Sequence, residues 1–237
     1  MNNTVIKTSG LTKIFGTKKV VSGISFEVLK NTIFGILGPN GSGKTTTLRM
    51  LATILSPTSG SIEIEGLDYI NNAQEIRQNI GYVPQKDALY LNLSVWENVD
   101  FFFSAYKYDG NRNERISETL KMVDLLGSKA KLVKNLSGGM AKRLSIACAI
   151  VHKPQILFFD EATMGLDPVA REKIWQLTFE LKKTATIITT THYMDEAQTL
   201  CDQLIILREG KIIIEGSPEQ IIARHRAKNL QEVLANI

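Results

Sequence analysis

The 237-residue chain is 43% hydrophobic and 22% charged, with a net charge of +4, an ordinary globular composition that excludes disordered and fibrous classes. Its apolar runs, 146–151, 156–159 and 204–207, are far shorter than the roughly 18–20 residues of a bilayer-crossing helix, and the opening MNNTVIKTSG holds no apolar stretch that would mark it for secretion. The basic excess is mild and scattered, densest at Arg224, His225, Arg226 and Lys228, so a solvated helix face is expected there rather than a nucleic-acid surface.

Taken along the chain, short β-rich runs alternate with helical segments, which predicts an α/β fold with a mainly parallel sheet covered by helices. Residues 32–37 read as a strand entering a glycine-rich turn, and 44–55 as the helix that follows. Polar and apolar residues alternate over 61–65, as in a half-buried strand. From Gln85 to His152 no strand pattern is convincing and helical stretches prevail, so a helical lobe is expected at about 85–152. The α/β core then comprises about 1–84 and 153–237, in one domain spanning 1–237. Within the lobe, 95–106 is read as a helix. A rotation of 100° per residue places Val95, Val99, Phe102 and Tyr106 on its buried stripe, Trp96 and Phe103 on the flank, and Phe101 on the wet face. Phe101, with Trp96 or Tyr90, then belongs either to an apolar docking patch or under a neighbouring loop. The run 156–159 is uniformly apolar, as a central strand buried on both faces would be. Residues 186–191 and 203–207 read as further strands, and 211–215, after Glu209-Gly210, as the second arm of a hairpin. Cys148 and Cys201 stand alone, without metal-ligand spacing, and are expected as buried reduced thiols.

Gly38-Pro-Asn-Gly-Ser-Gly-Lys44-Thr45 fits G-x-x-x-x-G-K-[ST], and it follows a strand and opens a helix, as phosphate binding requires. Gly41 and Gly43 let the backbone approach phosphate oxygens with its N–H groups, and the helix N-terminus adds partial positive charge. Lys44 would neutralise the β/γ-phosphates and the Thr45 hydroxyl would ligate Mg²⁺. Gly38, Pro39, Asn40, Gly41, Ser42, Gly43, Lys44, Thr45 and Thr46 are therefore the expected nucleotide-binding set. Asp160 and Glu161 end the apolar strand at 156–159. Asp160 is placed to hold Mg²⁺, and Glu161 to take a proton from an attacking water.

Leu136-Ser137-Gly138-Gly139-Met140, 23 residues from Ser137 to Asp160, resembles the LSGGQ signature of the ATP-binding cassette (ABC) ATPases, and the resemblance covers nearly the whole chain. It implies a P-loop NTPase (RecA-like) core with an N-terminal antiparallel β subdomain and an inserted α-helical lobe. It also implies ATP and Mg²⁺ as cofactors. Ser137, Gly138 and Gly139 would close on the γ-phosphate held by a second ATPase subunit, so that two chains, most simply identical, sandwich two ATP molecules. Phe15 resembles the aromatic that stacks on adenine, with a core phenylalanine as the alternative. Gln85, in Tyr82-Val-Pro-Gln85, resembles the glutamine at Mg²⁺ or the attacking water. Gly165-Leu-Asp167-Pro168 resembles the loop that crosses the dimer interface. His192, 32 residues beyond Asp160, resembles the histidine at the γ-phosphate. Met140 stands where the family has glutamine and Ala162 where it has proline, and modest effects on rate are expected.

Met140, with Thr191-His-Tyr-Met-Asp-Glu-Ala197 and Leu200-Cys-Asp202, is similar to the branch serving drug, lipid or polysaccharide exporters. That implies a separate integral-membrane permease as partner, a place on the cytoplasmic face of the cell membrane, and no nucleic acid. A soluble cluster-assembly type of ABC ATPase and an importer ATPase are the alternatives.

Overall fold

The computed structural model describes residues 3–235, so the outermost two positions at each end of the expected 1–237 domain lie outside the described residues. Two sheets organise it. Strands β1 (Thr4–Phe15), β2 (Lys18–Leu29), β4 (Ser59–Ile64) and β5 (Leu67–Asp68) form an antiparallel sheet in the order β2-β1-β4-β5. The second sheet runs β10-β9-β3-β8-β7-β6, built from β3 (Ile33–Leu37), β6 (Ile80–Val83), β7 (Ile156–Asp160), β8 (Thr186–Thr191), β9 (Gln203–Arg208) and β10 (Lys211–Gly216). The pairings β9-β3-β8-β7-β6 are parallel, and β10 closes the edge as an antiparallel hairpin arm.

Strand side chains alternate between faces, and here the two faces meet two cores. Ile33, Leu37, Leu157 and Phe159 join the helical residues on one side. Phe34, Ile36, Ile156 and Phe158 join the antiparallel sheet and α1 (Lys44–Leu51) on the other. The six-stranded sheet is thus buried on both faces, which is why β3, β7 and β8 carry no exposed residue. The helix expected over 44–55 stops at Leu51, where Ala52 and left-handed Thr53 (φ 57°) turn the chain.

Short α2 (Ala73–Asn79) precedes β6, and residues 85–152 supply α3 (Val95–Phe103), α4 (Arg112–Met122) and α5 (Gly138–Ile150). A capping box starts α3: Ser94 Oγ accepts from Glu97 N, and Ser94 N donates to Glu97 Oε2. The buried stripe of α3 differs from the expectation at Phe102, Phe103 and Tyr106. Phe103 is fully buried with Val95 and Val99, whereas Phe102 is only partly covered. The reason is the stop after Phe103. Ser104 caps the helix there, so Tyr106 leaves the helical spiral and does not extend the stripe. Phe101 is 48% exposed and meets the ring of Tyr90, on the preceding loop, edge-on at 4.6 Å.

After β7 come α6 (Pro168–Lys182) and α7 (Met194–Leu200), then α8 (Pro218–His225) and α9 (Leu230–Ala235) close the described chain. Asp167 Oδ1 caps α6 by accepting from Ala170 N at 2.9 Å. Cys148 and Cys201 are free and buried, and burial drives both thiols far up. No helix among the described residues is long and apolar enough to cross a membrane.

Candidate functional site

The turn between β3 and α1 is shaped by its glycines. Gly38 (φ 149°) leaves so little room that a Cβ would stand 2.2 Å from Leu207 O and 2.6 Å from Ser42 Oγ. Gly43 (φ 106°) carries the chain into α1 beside Val20 O, 2.8 Å from where its Cβ would be. A side chain at either position would both strain the backbone and collide. Lys44 opens α1, and its ammonium bends back over the turn, donating to Gly38 O at 2.9 Å and Pro39 O at 3.2 Å. Pro39, Asn40 and Gly41 form the exposed lip, and Thr46 is half-buried on α1.

Opposite the turn, the end of β7 presents the acid pair. Asp160 is fully buried, and its carboxylate accepts from Thr45 Oγ1 at 2.8 Å, Thr190 Oγ1 at 2.9 Å and Tyr82 Oη at 3.0 Å. These donors come from α1, β8 and β6, so three elements fix one carboxylate. Burial, and after it the negative charge of Asp160, pushes the Tyr82 phenol up to about 12, so it stays a neutral donor. Glu161 leaves the strand in a left-handed conformation (φ 46°), and its amide donates to Thr190 O and Thr190 Oγ1. That turn swings the Glu161 carboxylate toward Lys44 (3.4 Å), His192 Nδ1 (3.5 Å) and the Gln85 amide, which donates to it at 3.0 Å. A non-glycine residue in this region stores strain, which structures keep mainly at functional sites.

The sequence-predicted residues thus fall into three groups. Lys44, Thr45, Asp160, Glu161, Gln85 and His192 converge. Ser137, Gly138 and Gly139 do not: they line a separate cavity of about 410 Å³ with Leu166, Asp167 and Val169, and among the described residues they share no hydrogen bond with the converging set. There Ser137 Oγ caps α5 by accepting from Met140 N at 3.3 Å. Phe15 ends β1 with 48% exposure and with the Lys13 ammonium 5.1 Å from its ring centroid, so it is not a core phenylalanine. Tyr82 and Thr190 were not legible as site residues, being polar positions on strands. The signal that would have found them is that both flank the acid-bearing strand in the sheet.

The chemistry of the cluster suits an anion beside a hard cation. Ser42 Oγ is buried at the turn without a hydrogen-bond partner, an arrangement that an incoming phosphate oxygen would satisfy. Lys44 and the α1 N-terminus supply positive potential. Thr45 and Asp160 offer adjacent oxygens. No group of three His, Cys, Asp or Glu side chains able to hold a metal exists among the described residues.

Comparison with known proteins adds the following. The family model described as "ABC transporter" matches residues 21–164. A "Nod factor export ATP-binding protein I" of a Rhizobium species is 42% identical over 227 residues, 95% of this chain and 75% of that protein. A "Probable multidrug ABC transporter ATP-binding protein YbhF" of Escherichia coli is 39% identical over 93% of this chain, and the chain spans 38% of that relative's length. A solved structure described as the ATP binding subunit of an ABC transporter superposes with a TM-score of 0.88 at 25% identity, covering 98% of each chain.

Proposed function

This chain belongs to the ABC transporter family, and from that premise we propose that it binds ATP with Mg²⁺ and hydrolyses it to power export by a separate integral-membrane permease. The observation that carries the hydrolytic part is the position of Glu161. It is a buried carboxylate between a lysine, a histidine and a glutamine amide, one residue beyond an aspartate that three donors hold in place.

In this reading the amides of the 38–43 turn and Lys44 hold the phosphates, and Phe15 covers the adenine. Thr45 and Asp160, with Gln85, would hold Mg²⁺, whose charge would offset that growing on the phosphoryl oxygens. Glu161 accepts a proton from water as its oxygen bonds to the γ-phosphorus and the bond to the ADP oxygen breaks. Gln85 and His192 position that water and the γ-phosphate from either side of Glu161. Ser137, Gly138 and Gly139, in their separate cavity, serve the ATP of a second copy, with Asp167 at the crossing. Export is supported by the names of the relatives, which include Nod factor export and daunorubicin resistance proteins. An export permease places the chain on the cytoplasmic face of the membrane.

Glu161→Gln tests this directly, since it preserves shape and removes the base. General-base catalysis contributes about 10²–10⁴ in rate, so steady-state phosphate release at saturating ATP should fall at least about 100-fold while nucleotide binding persists. The same variant should double its mass in light scattering when ATP is added. Activity within a few-fold of the parent removes Glu161 as base, and a mass indifferent to ATP removes the two-chain site.

A further inference from the structure

Lys142 lies on the second turn of α5 and is 3% exposed. A buried ammonium is tolerated only when its three donors find partners, and here all three point to one segment. Nζ donates to Pro84 O at 3.0 Å and Gln85 O at 3.1 Å, and it pairs with Asp87 Oδ1 at 2.7 Å. The segment from 84 to 93, between β6 and α3, has no ladder or helix of its own, so its position depends on such outside contacts. Its member Gln85 in turn donates to Glu161. The N-terminal end of α5, the Ser137-capped turn, is five residues away, about 7.5 Å along the helix axis.

We propose that Lys142 is a positioning residue that makes α5 and the Gln85 segment move as one body. Seating of the second copy's ATP on the Ser137 turn is thereby felt at Gln85, and through Gln85 at Glu161. The inference rests on the two-chain hydrolytic reading above and adds a specific coupling residue to it. Lys142 touches no substrate and acts only through the carbonyls and carboxylate it holds. A binding role predicts a change in KM, whereas this role predicts a change in kcat that disappears once Gln85 is gone.

The experiment measures ATP hydrolysis against ATP concentration for Lys142→Met, Lys142→Arg, Gln85→Ala and the Lys142→Met/Gln85→Ala double variant. We expect Lys142→Met to lower kcat at least about tenfold with KM within about twofold, and Lys142→Arg to recover most of the loss. In the Gln85→Ala background the same substitution should change kcat less than about twofold. Losses that simply add in the double variant, or a kcat for Lys142→Met within about twofold of the parent, overturn the proposal. Should Lys142→Met not yield folded protein, Asp87→Asn, which removes the ionic partner and leaves α5 intact, is judged by the same two criteria. Glu161→Gln run in parallel separates the two levels. If it abolishes turnover while Lys142→Met does not lower it, the coupling alone is refuted.

Discussion

His152 follows α5 and is held at the seam between the helical segment and the six-stranded sheet. Its Nε2 bonds Ile80 O at 3.0 Å, and its ring stacks on Tyr106 at 3.5 Å and 7°. Its Nδ1 is buried without a partner. Burial, aided by the nearby Arg115 guanidinium, lowers its pKa from 6.5 to about 4, against the smaller opposing effect of the Ile80 carbonyl. The sign follows from the depressed value. The folded state favours the neutral ring, so the contribution is complete above pH 6.5 and is lost as pH falls toward 4. At pH 5 the unfolded chain carries the proton almost fully and the folded chain only about one time in ten. This site alone then costs about 2 kcal/mol, rising to about 3 kcal/mol below pH 4. Urea unfolding at pH 7.5 and pH 5.0, for the parent and for His152→Phe, isolates the effect, because the remaining groups titrate alike in both. The variant keeps the stack on Tyr106 and gives up the Ile80 bond, so it should be less stable at pH 7.5 by about 1 kcal/mol. Its further loss on going to pH 5.0 should be smaller than the parent's by about 2 kcal/mol. Parallel pH dependence in the two proteins would refute the assignment of a buried neutral histidine.

Two further outcomes follow from packing and from the acid pair. Phe103→Ala, at a fully buried position, should cost about 3–5 kcal/mol and lower Tm by roughly 6–20 °C. Phe101→Ala surrenders a half-exposed ring and its edge contact with Tyr90, about 1–2 kcal/mol, and equal losses in thermal melts would contradict the observed faces of α3. Tyr82→Phe deletes one of the three donors to buried Asp160, a bond to a charged group worth about 1.5–3 kcal/mol. An unchanged melting curve would show that Thr45 and Thr190 suffice.

What could be read from the residues was what local chemistry determines. The turn at 38–45 announces itself because its spaced glycines stand where the backbone takes a positive φ, at Gly38, Gly41 and Gly43. β7 does so because an apolar run that closes on two adjacent acids, Asp160 and Glu161, marks a buried strand with charge at its end. Family resemblance then indicated the residues lying far apart in sequence, and the structure brings Gln85 and His192 to Glu161. Less legible were features set by tertiary contact. Thr190 sat within a threonine run that reads simply as strand, although its hydroxyl serves Asp160. Phe102 and Phe103 differ by a single step on α3, so the helix end decided which was buried. Lys142 gave no pattern at all, since its partners are two backbone carbonyls and the Asp87 carboxylate more than 50 residues earlier, the span from Lys142 to Gln85 being 57. The two-residue β5 and the short α2 carried too little periodicity to be separated from loop.

The strand order has a consequence for how the protein is made. β3, which delivers the chain into the glycine-rich turn at 38–43, pairs on both sides with strands that come much later, Ile33 with Ile187 and Gly35 with Leu204. The turn itself is braced by Gly210, whose amide donates to Ser42 O and whose carbonyl accepts from Ser22 N. During synthesis at about 5–20 residues per second, β3 must therefore wait roughly 10–30 s for its neighbours to leave the ribosome. Until then Ile33, Phe34, Ile36 and Leu37 are an unpaired apolar edge, the kind of segment that associates with other chains or is shielded by chaperones. On the proposed function, nucleotide would help only after that interval, since the turn that would receive it depends on the hairpin around Gly210, and production of the folded protein should respond more to slowed elongation before residue 210 than to ATP supply.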